Sequence, residues 1–227
     1  MNIFFIIIVI VLAYLVGSIP DGLFVAKLFT GKDVRKVESG RTGGTNVMRT
    51  AGYPAGVITV ILDIIKGISA TWITYAFFPE GNPWLQATAA LFAIIGHNHS
   101  IFLIEKKENG KIRLRGGAGG STCFGGTLGI YPFAWAFILP VALFCFIFIG
   151  YASITTLSIG FGAVILFIYL AVTGAASWAY VFYGIGSMLL LTWALKPNIE
   201  RLMNGNERLV GLRAYWEKKK KAQSSKE

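Results

Sequence analysis

The sequence predicts an all-α integral membrane protein of about seven transmembrane helices, N-terminus outside and C-terminus cytoplasmic, with one short Gly-rich helix and a small cytoplasmic β-hairpin. Three observations carry this expectation. Of 227 residues, 55% are hydrophobic and 14% charged, whereas a soluble domain carries about 25% charged residues. So few charges cannot cover so much apolar side chain, and lipid must face much of it. Six apolar segments, 3–20, 54–78, 84–104, 131–150, 155–173 and 177–195, are long enough to span a bilayer or nearly so. Finally, twenty of the 21 Lys and Arg residues fall in three segments.

The first apolar segment resembles a signal-peptide core. No Lys or Arg precedes it, however, and only Gly17-Ser18-Ile19-Pro20 follows, without a small-x-small cleavage site. It therefore reads as a retained first helix. The next segment holds Lys27, Lys32, Arg35, Lys36, Arg41 and Arg49. The second span contains the remaining cation, Lys66, three residues after Asp63. After the third span come Lys106, Lys107, Lys111, Arg113 and Arg115. There, Asn109-Gly110 is a turn signal, and Ile112 and Leu114 alternate with basic residues, so 105–115 is expected to form a hairpin. Residues 117–130 are Gly-rich and short, as in a broken or re-entrant helix packed inside the protein. The tail from Lys196 to Lys226 carries nine more cations. Seven crossings place all three basic segments on one side; six would put the tail opposite the other two. The positive-inside rule favours seven. Residues 1–195 thus read as one polytopic membrane domain and 196–227 as a basic cytoplasmic segment.

The net charge of +10 follows from the same rule and from contact with anionic membrane lipids. No soluble basic domain exists to carry nucleic acid. Cys123 and Cys145 lie among apolar or Gly-rich residues without CxxC spacing, and His97 and His99 have no adjacent Cys or carboxylate. No metal site and no cofactor are expected.

Three blocks carry chemistry. The first, Ser39-Gly40-Arg41-Thr42-Gly43-Gly44-Thr45-Asn46 with Arg49, combines glycines, hydroxyls and arginine. Glycines let backbone N–H groups converge on an anion that hydroxyls and arginine complete. Alone, it equally reads as a flexible basic loop. The second joins Gly96-His97 to Gly116-Gly117-Ala118-Gly119-Gly120-Ser121-Thr122, a Gly-rich turn opening a short helix. Free amides there suit a phosphate, although small residues also serve close helix packing. The third, Pro197 to Arg208, contains Asn198, Arg201 and Glu207 and on its own reads as a solvated helix with i,i+4 pairing.

Together these blocks resemble the bacterial acyl-phosphate:glycerol-3-phosphate acyltransferase family, which is membrane-integral. The family's motifs appear in order as GSIP (17–20), SGRTGGTNVMR (39–49), GH (96–97) with GGAGGST (116–122), and NIERLMNGNE (198–207). Asp63-x-x-Lys66-Gly67 matches its DxxKG pattern, and Tyr151-Ala152-Ser153 its YVS segment. Several ordered motifs are far more specific than any one of them.

The resemblance implies a seven-helix, N-out enzyme of phospholipid synthesis in the bacterial cell membrane, its active site facing the cytoplasm. It would transfer a fatty acyl group from acyl phosphate to the 1-hydroxyl of glycerol 3-phosphate, giving lysophosphatidic acid. Ser39, Arg49, Ser153 and Asn198 would be catalytic. Gly43, Gly44, Thr45, Asn46, His97, Arg115, Gly116, Gly117, Gly119, Ser121, Thr122, Arg201 and Glu207 would bind substrate. Oligomeric state is left open. Acyl phosphate is already activated, so positioning and charge stabilisation suffice and no strong protein nucleophile is required.

Three positions depart from the family pattern: Ala118 for its GGKG lysine, Leu195 for a histidine, and Arg41 for an asparagine. Losing a cation that faces phosphate costs about 2–4 kcal/mol if nothing replaces it. Arg113, Arg41 and above all Arg115, directly before the Gly-rich turn, are the candidate replacements, against the reading of Arg115 as a topology charge. The alternatives to an acyltransferase are a transporter of an anionic solute, suggested by the intramembrane Asp63/Lys66 pair, and a catalytically weak paralogue that binds lipid phosphates.

Overall fold

The computed structural model describes residues 2–106 and 109–224. Lys107 and Lys226, counted above among the cations, lie outside them. The protein is a predominantly helical membrane protein, with one two-stranded sheet among the described residues.

Helix α1 (Ile3–Ser18) is capped by Asn2, whose side chain accepts from the Phe4 amide at 3.0 Å. The chain bends at Ile19-Pro20 and continues as α2 (Asp21–Thr30), with Pro20 at the N-cap. The apolar stretch Ile3–Thr30 is thus 28 residues long, because α2 carries it past the expected end at residue 20. After α3 (Gly44–Ala51), Gly52 turns the chain into α4 (Tyr53–Phe77), the second long apolar helix. Helix α5 (Pro83–Asn98) has only 16 residues, about 24 Å at 1.5 Å each, so the third apolar segment ends earlier than 104. Residues beyond it turn back into the hairpin, β1 (Ile104–Lys106) against β2 (Ile112–Leu114), antiparallel with Glu105 opposite Arg113. Gly110 takes φ +77° between the strands, a left-handed backbone that suits glycine.

The Gly-rich segment forms the short α6 (Gly120–Ile130). Helix α7 (Trp135–Phe144) continues through a π-turn over Cys145–Ile149, where Gly150 ends it at φ +77°. Helices α8 (Ala152–Val172) and α9 (Trp178–Met203) follow, and α9 runs without a break across the 195/196 boundary. A last helix, α10 (Gly211–Ser224), lies in the basic tail. Counting Ile3–Thr30 as one, five helices among the described residues are long and apolar enough to cross a membrane, and α5 and α6 are shorter.

Helix α6 lies against α4 with backbone touching backbone. A Cβ on Gly67 would strike the Thr122 carbonyl, and one on Gly125 the Ile64 carbonyl. Small residues at such crossings let helices approach where lipid supplies no hydrophobic drive. A second apolar cluster gathers α5, α6, α8 and α9 around Ile94, Phe124, Phe167 and Tyr183.

Four ionisable side chains join α2, α4 and α5 inside the bundle. Lys66 Nζ lies 2.7 Å from Asp63 Oδ1 and 3.0 Å from Asp21 Oδ2, and donates to the Ile19 carbonyl at 3.0 Å. His97 Nδ1 lies 3.3 Å from Asp63 Oδ1. The side chains of Lys66 and Asp63 are only 5% and 2% exposed. Such charges persist away from water only when paired.

Candidate active site

A cavity of about 1520 Å³ opens between α3, α4, α6, α7, α8, the end of α9 and α10. Its polar end is built by two helix N-termini. Gly43, Gly44 and Thr45 bring the start of α3 to the wall, and Gly119, Gly120 and Ser121 bring the start of α6. First-turn amides lack helical partners and carry the positive end of the dipole, so both suit an anion.

The loop before α3 is shaped by Asn46. Its Nδ2 donates toward the carbonyls of Val34 (3.1 Å), Val37 (3.1 Å) and Arg41 (2.8 Å), gathering the loop around one amide. This presents Ser39 and Arg41 to the cavity. Arg41 also donates to the Ala194 carbonyl, tying the loop to α9. Arg49, one α3 turn beyond Thr45, lines the cavity and donates to Leu209 O at 3.4 Å. Burial, then the nearby Arg201, pushes the Arg41 guanidinium below its usual range; burial, then Arg208, does the same for Arg49. Both are partly dehydrated cations next to other cations, a state that a bound anion relieves.

On the opposite wall, Asn198 Nδ2 donates to Glu207 Oε1 at 2.8 Å, and Arg201 Nε lies 3.1 Å from Glu207 Oε2. Glu207 thereby orients Asn198 toward the cavity, and Arg201 acts through Glu207 without lining the wall. Ser153, fully buried at the start of α8, lines the same space. The buried atoms Asn46 Oδ1, Ser153 Oγ and Asn198 Oδ1 have no hydrogen-bond partner among the described residues. Three unpartnered polar atoms on the residues of one cavity suit a polar ligand, although Asn98 Oδ1, Thr122 Oγ1 and Ser187 Oγ also lack partners away from the wall. Beyond this end the wall is apolar, formed by Val57, Val60 and Ile61 of α4 and by Leu139, Leu143, Phe146 and Ile147 of α7 and its π-turn.

His97 lines the cavity with Asp63 at its side. Gly116 and Gly117 lie behind it: the Gly117 amide donates to His97 O at 2.9 Å, and a Cβ on Gly117 would collide with His97 Nε2. These two glycines give His97 room and do not face the cavity. Thr122 is buried one residue past the wall, its Oγ1 without a partner. Arg115 stays at the hairpin, its Nε and Nη2 on Glu105 at 2.5 and 2.9 Å and its Nη1 on the Arg35 carbonyl at 3.0 Å. The structure does not bring it to the cavity, because β2 and Glu105 hold its guanidinium. Ala118 and Leu195, two of the departures from the family pattern, both line the wall, and so does Arg41.

Several cavity residues were not singled out from the sequence. Glu38, at φ +51°, pairs with Arg208 at 3.0 Å, and both line the wall. Tyr215, Lys218 and Lys221 of α10 line it too. The only signal for the latter was an amphipathic pattern in a tail otherwise legible as solvated charge.

Comparisons with known proteins identify the family. A model of the glycerol-3-phosphate acyltransferase family matches residues 7–205. A glycerol-3-phosphate acyltransferase of Thermus thermophilus is 37% identical over 205 residues, covering 89% of this chain and 94% of the relative. One from Enterococcus faecalis is 33% identical over 223 residues, covering 95% and 97%. Among solved structures, the glycerol 3-phosphate form of PlsY, an integral membrane glycerol 3-phosphate acyltransferase, superposes with a TM-score of 0.76 at 30% identity, covering 91% of this chain and 96% of that one. Its lysophosphatidic acid form gives a TM-score of 0.75 at 28% identity, covering 91% and 95%. With motif blocks converging on one cavity, and a family match running from residue 7 to residue 205, this chain belongs to the glycerol-3-phosphate acyltransferase family.

Proposed function

We propose that the chain transfers a fatty acyl group from acyl phosphate to the 1-hydroxyl of glycerol 3-phosphate, at the cytoplasmic edge of the cell membrane. The observation that carries the reading is the two-ended cavity. One end offers helix amides, Arg41, Arg49 and unpartnered polar atoms for phosphate and glycerol oxygens; the other offers an apolar wall for an acyl chain. In the reaction the substrate hydroxyl oxygen bonds to the acyl carbonyl carbon, the carbonyl–phosphate C–O bond breaks, and inorganic phosphate leaves with the bonding pair. A substrate phosphate oxygen takes the hydroxyl proton. Arg49 and the amides of α3 and α6 hold phosphate, Ser39 and Ser153 bond substrate oxygens, and Asn198 is set by Glu207. Catalysis then comes from positioning and from donors fixed before the charge develops.

A competition assay tests the donor. Purified protein receives glycerol 3-phosphate with palmitoyl phosphate and palmitoyl-CoA together, one chain deuterated. Lysophosphatidate carrying the acyl-phosphate chain is expected; equal or greater use of the CoA chain refutes the donor assignment.

Topology is tested separately. Seven crossings, with α5 and α6 completing the five long spans, put residues 28–50, 105–116 and 196–227 on the cytoplasmic side, as their Lys/Arg content requires. Single cysteines at Lys36 and Lys111 should resist an impermeant thiol reagent applied to intact cells and react after permeabilisation. Labelling of either from outside contradicts this orientation.

A further inference from the structure

We infer that α10 forms an access site for the acyl donor, receiving the phosphate head of an anionic amphiphile on Lys218 and Lys221 beside the apolar wall of the cavity. The inference rests on the acyltransferase reading and adds to it a binding element outside residues 7–205, where the family match lies.

The helix is fixed to the bundle by contacts at its root. The Val210 amide donates to Gly150 O at 2.9 Å, and Leu209 bridges antiparallel to Tyr151. Arg213 Nη1 donates to the Ile149 carbonyl at 2.9 Å, and its guanidinium stands 5.0 Å from the centre of the Tyr151 ring. Gly211 takes φ +61° against the Phe146 carbonyl, where a Cβ would collide. These contacts join α10 to the π-turn that supplies Phe146 and Ile147 to the apolar wall.

Helical periodicity then turns one face of α10 to the cavity. Ala214, Tyr215, Lys218 and Lys221 line it, spaced mostly by three and four, and so does Glu217, whose carboxylate pairs with Lys221. Lys219 and Lys220 do not. Lys218 has no ion-pair partner among the described residues, and Lys221 holds only an exposed i,i+4 pair with Glu217 at 3.1 Å, its side chain 77% exposed. A pair of that kind contributes little and exchanges readily for a phosphate. Two cations next to an apolar wall match a ligand with one anionic head and a long chain. Glycerol 3-phosphate has the head but no chain to lie on Phe146 and Ile147.

The test uses the full chain in detergent and three variants: Lys218→Ala/Lys221→Ala, Arg213→Ala, and Lys219→Ala/Lys220→Ala as the control on the outer face. The first should raise KM for palmitoyl phosphate by about tenfold, as loss of charge-assisted contacts implies, with kcat and the KM for glycerol 3-phosphate little changed. Arg213→Ala should give the same split by loosening the helix, and the control should match wild type. Binding of lysophosphatidate, followed by tryptophan fluorescence, should weaken in parallel and needs no turnover. A wild-type donor KM together with wild-type lysophosphatidate binding in the first variant overturns the inference. So does a change confined to association with anionic vesicles, which would make α10 a membrane-surface helix. Weakened lysophosphatidate binding in a chain that shows no turnover at all would leave the access site standing and remove the acyltransferase reading instead.

Discussion

Lys66→Met is expected to destabilise the protein by about 3–5 kcal/mol, because it leaves buried carboxylates without their shared cation. Lys66 is the one group in contact with both Asp63 and Asp21, and it also caps the Ile19 carbonyl where α1 gives way to α2. Removing it leaves Asp63 with His97 alone and Asp21 without its ion-pair partner. For a chain of this size a loss of 3–5 kcal/mol lowers Tm by on the order of 10 °C. Thermal unfolding in detergent, followed by tryptophan fluorescence, reads it. The double variant Asp63→Asn/Lys66→Met removes charge of both signs and should lose less than the two single variants together. A Tm for Lys66→Met within about 2 °C of wild type, less than the shift 1 kcal/mol produces, would mean that the network does not hold α2, α4 and α5 together. The same geometry accounts for the feature that favoured a transporter. The intramembrane Asp63–Lys66 pair is tied to Asp21, Ile19 and His97; Asp63 and His97 reach the cavity wall, and Lys66 lies behind it.

The second large effect is expected at Arg49. Arg49→Ala should lower kcat/KM by at least about tenfold, and by about 100-fold if the guanidinium stabilises charge that develops during transfer. Arg49 stands on α3 among other cations in partly dehydrated surroundings, and its planar fork suits phosphate. Arg49→Lys keeps the charge but loses the fork, so it should recover only part of the rate. Asn198→Ala should also cost at least about tenfold, since it removes a polar group aimed at the cavity. Folding is checked by gel filtration and Tm, and rate by initial velocities in both substrates. Near-wild-type rates for both alanine variants would mean that this cavity end does not hold the reacting groups.

Much of this was legible in the sequence. The apolar segments located every long helix, because hydrocarbon length sets a minimum span, but some ends were missed: the first stretch runs on to Thr30, α5 stops at Asn98 and α9 continues to Met203. Asn109-Gly110 and the alternation after it located the hairpin, because glycine accepts the left-handed backbone found at Gly110. Ser39, Arg49, Ser153, Asn198 and Glu207 were each singled out, and the structure brings them to one cavity. What was not legible depends on contacts between distant segments. Nothing local separates Arg115, held at the hairpin by Glu105, from Arg41, which lines the cavity while donating to the Ala194 carbonyl. Gly116 and Gly117 look like phosphate-binding glycines, yet their small size serves His97. The role of α10 arises from where Gly150 and Gly211 place it, and four consecutive lysines reveal no such placement.

The most direct test of the acyl-transfer account is product stoichiometry with the purified, folded chain. Glycerol 3-phosphate labelled in its glycerol carbons is incubated with palmitoyl phosphate alone. The account predicts one labelled lipid, 1-palmitoyl lysophosphatidate, and one inorganic phosphate released for each molecule formed. Label that stays in glycerol 3-phosphate, or phosphate release without labelled lipid, would contradict it.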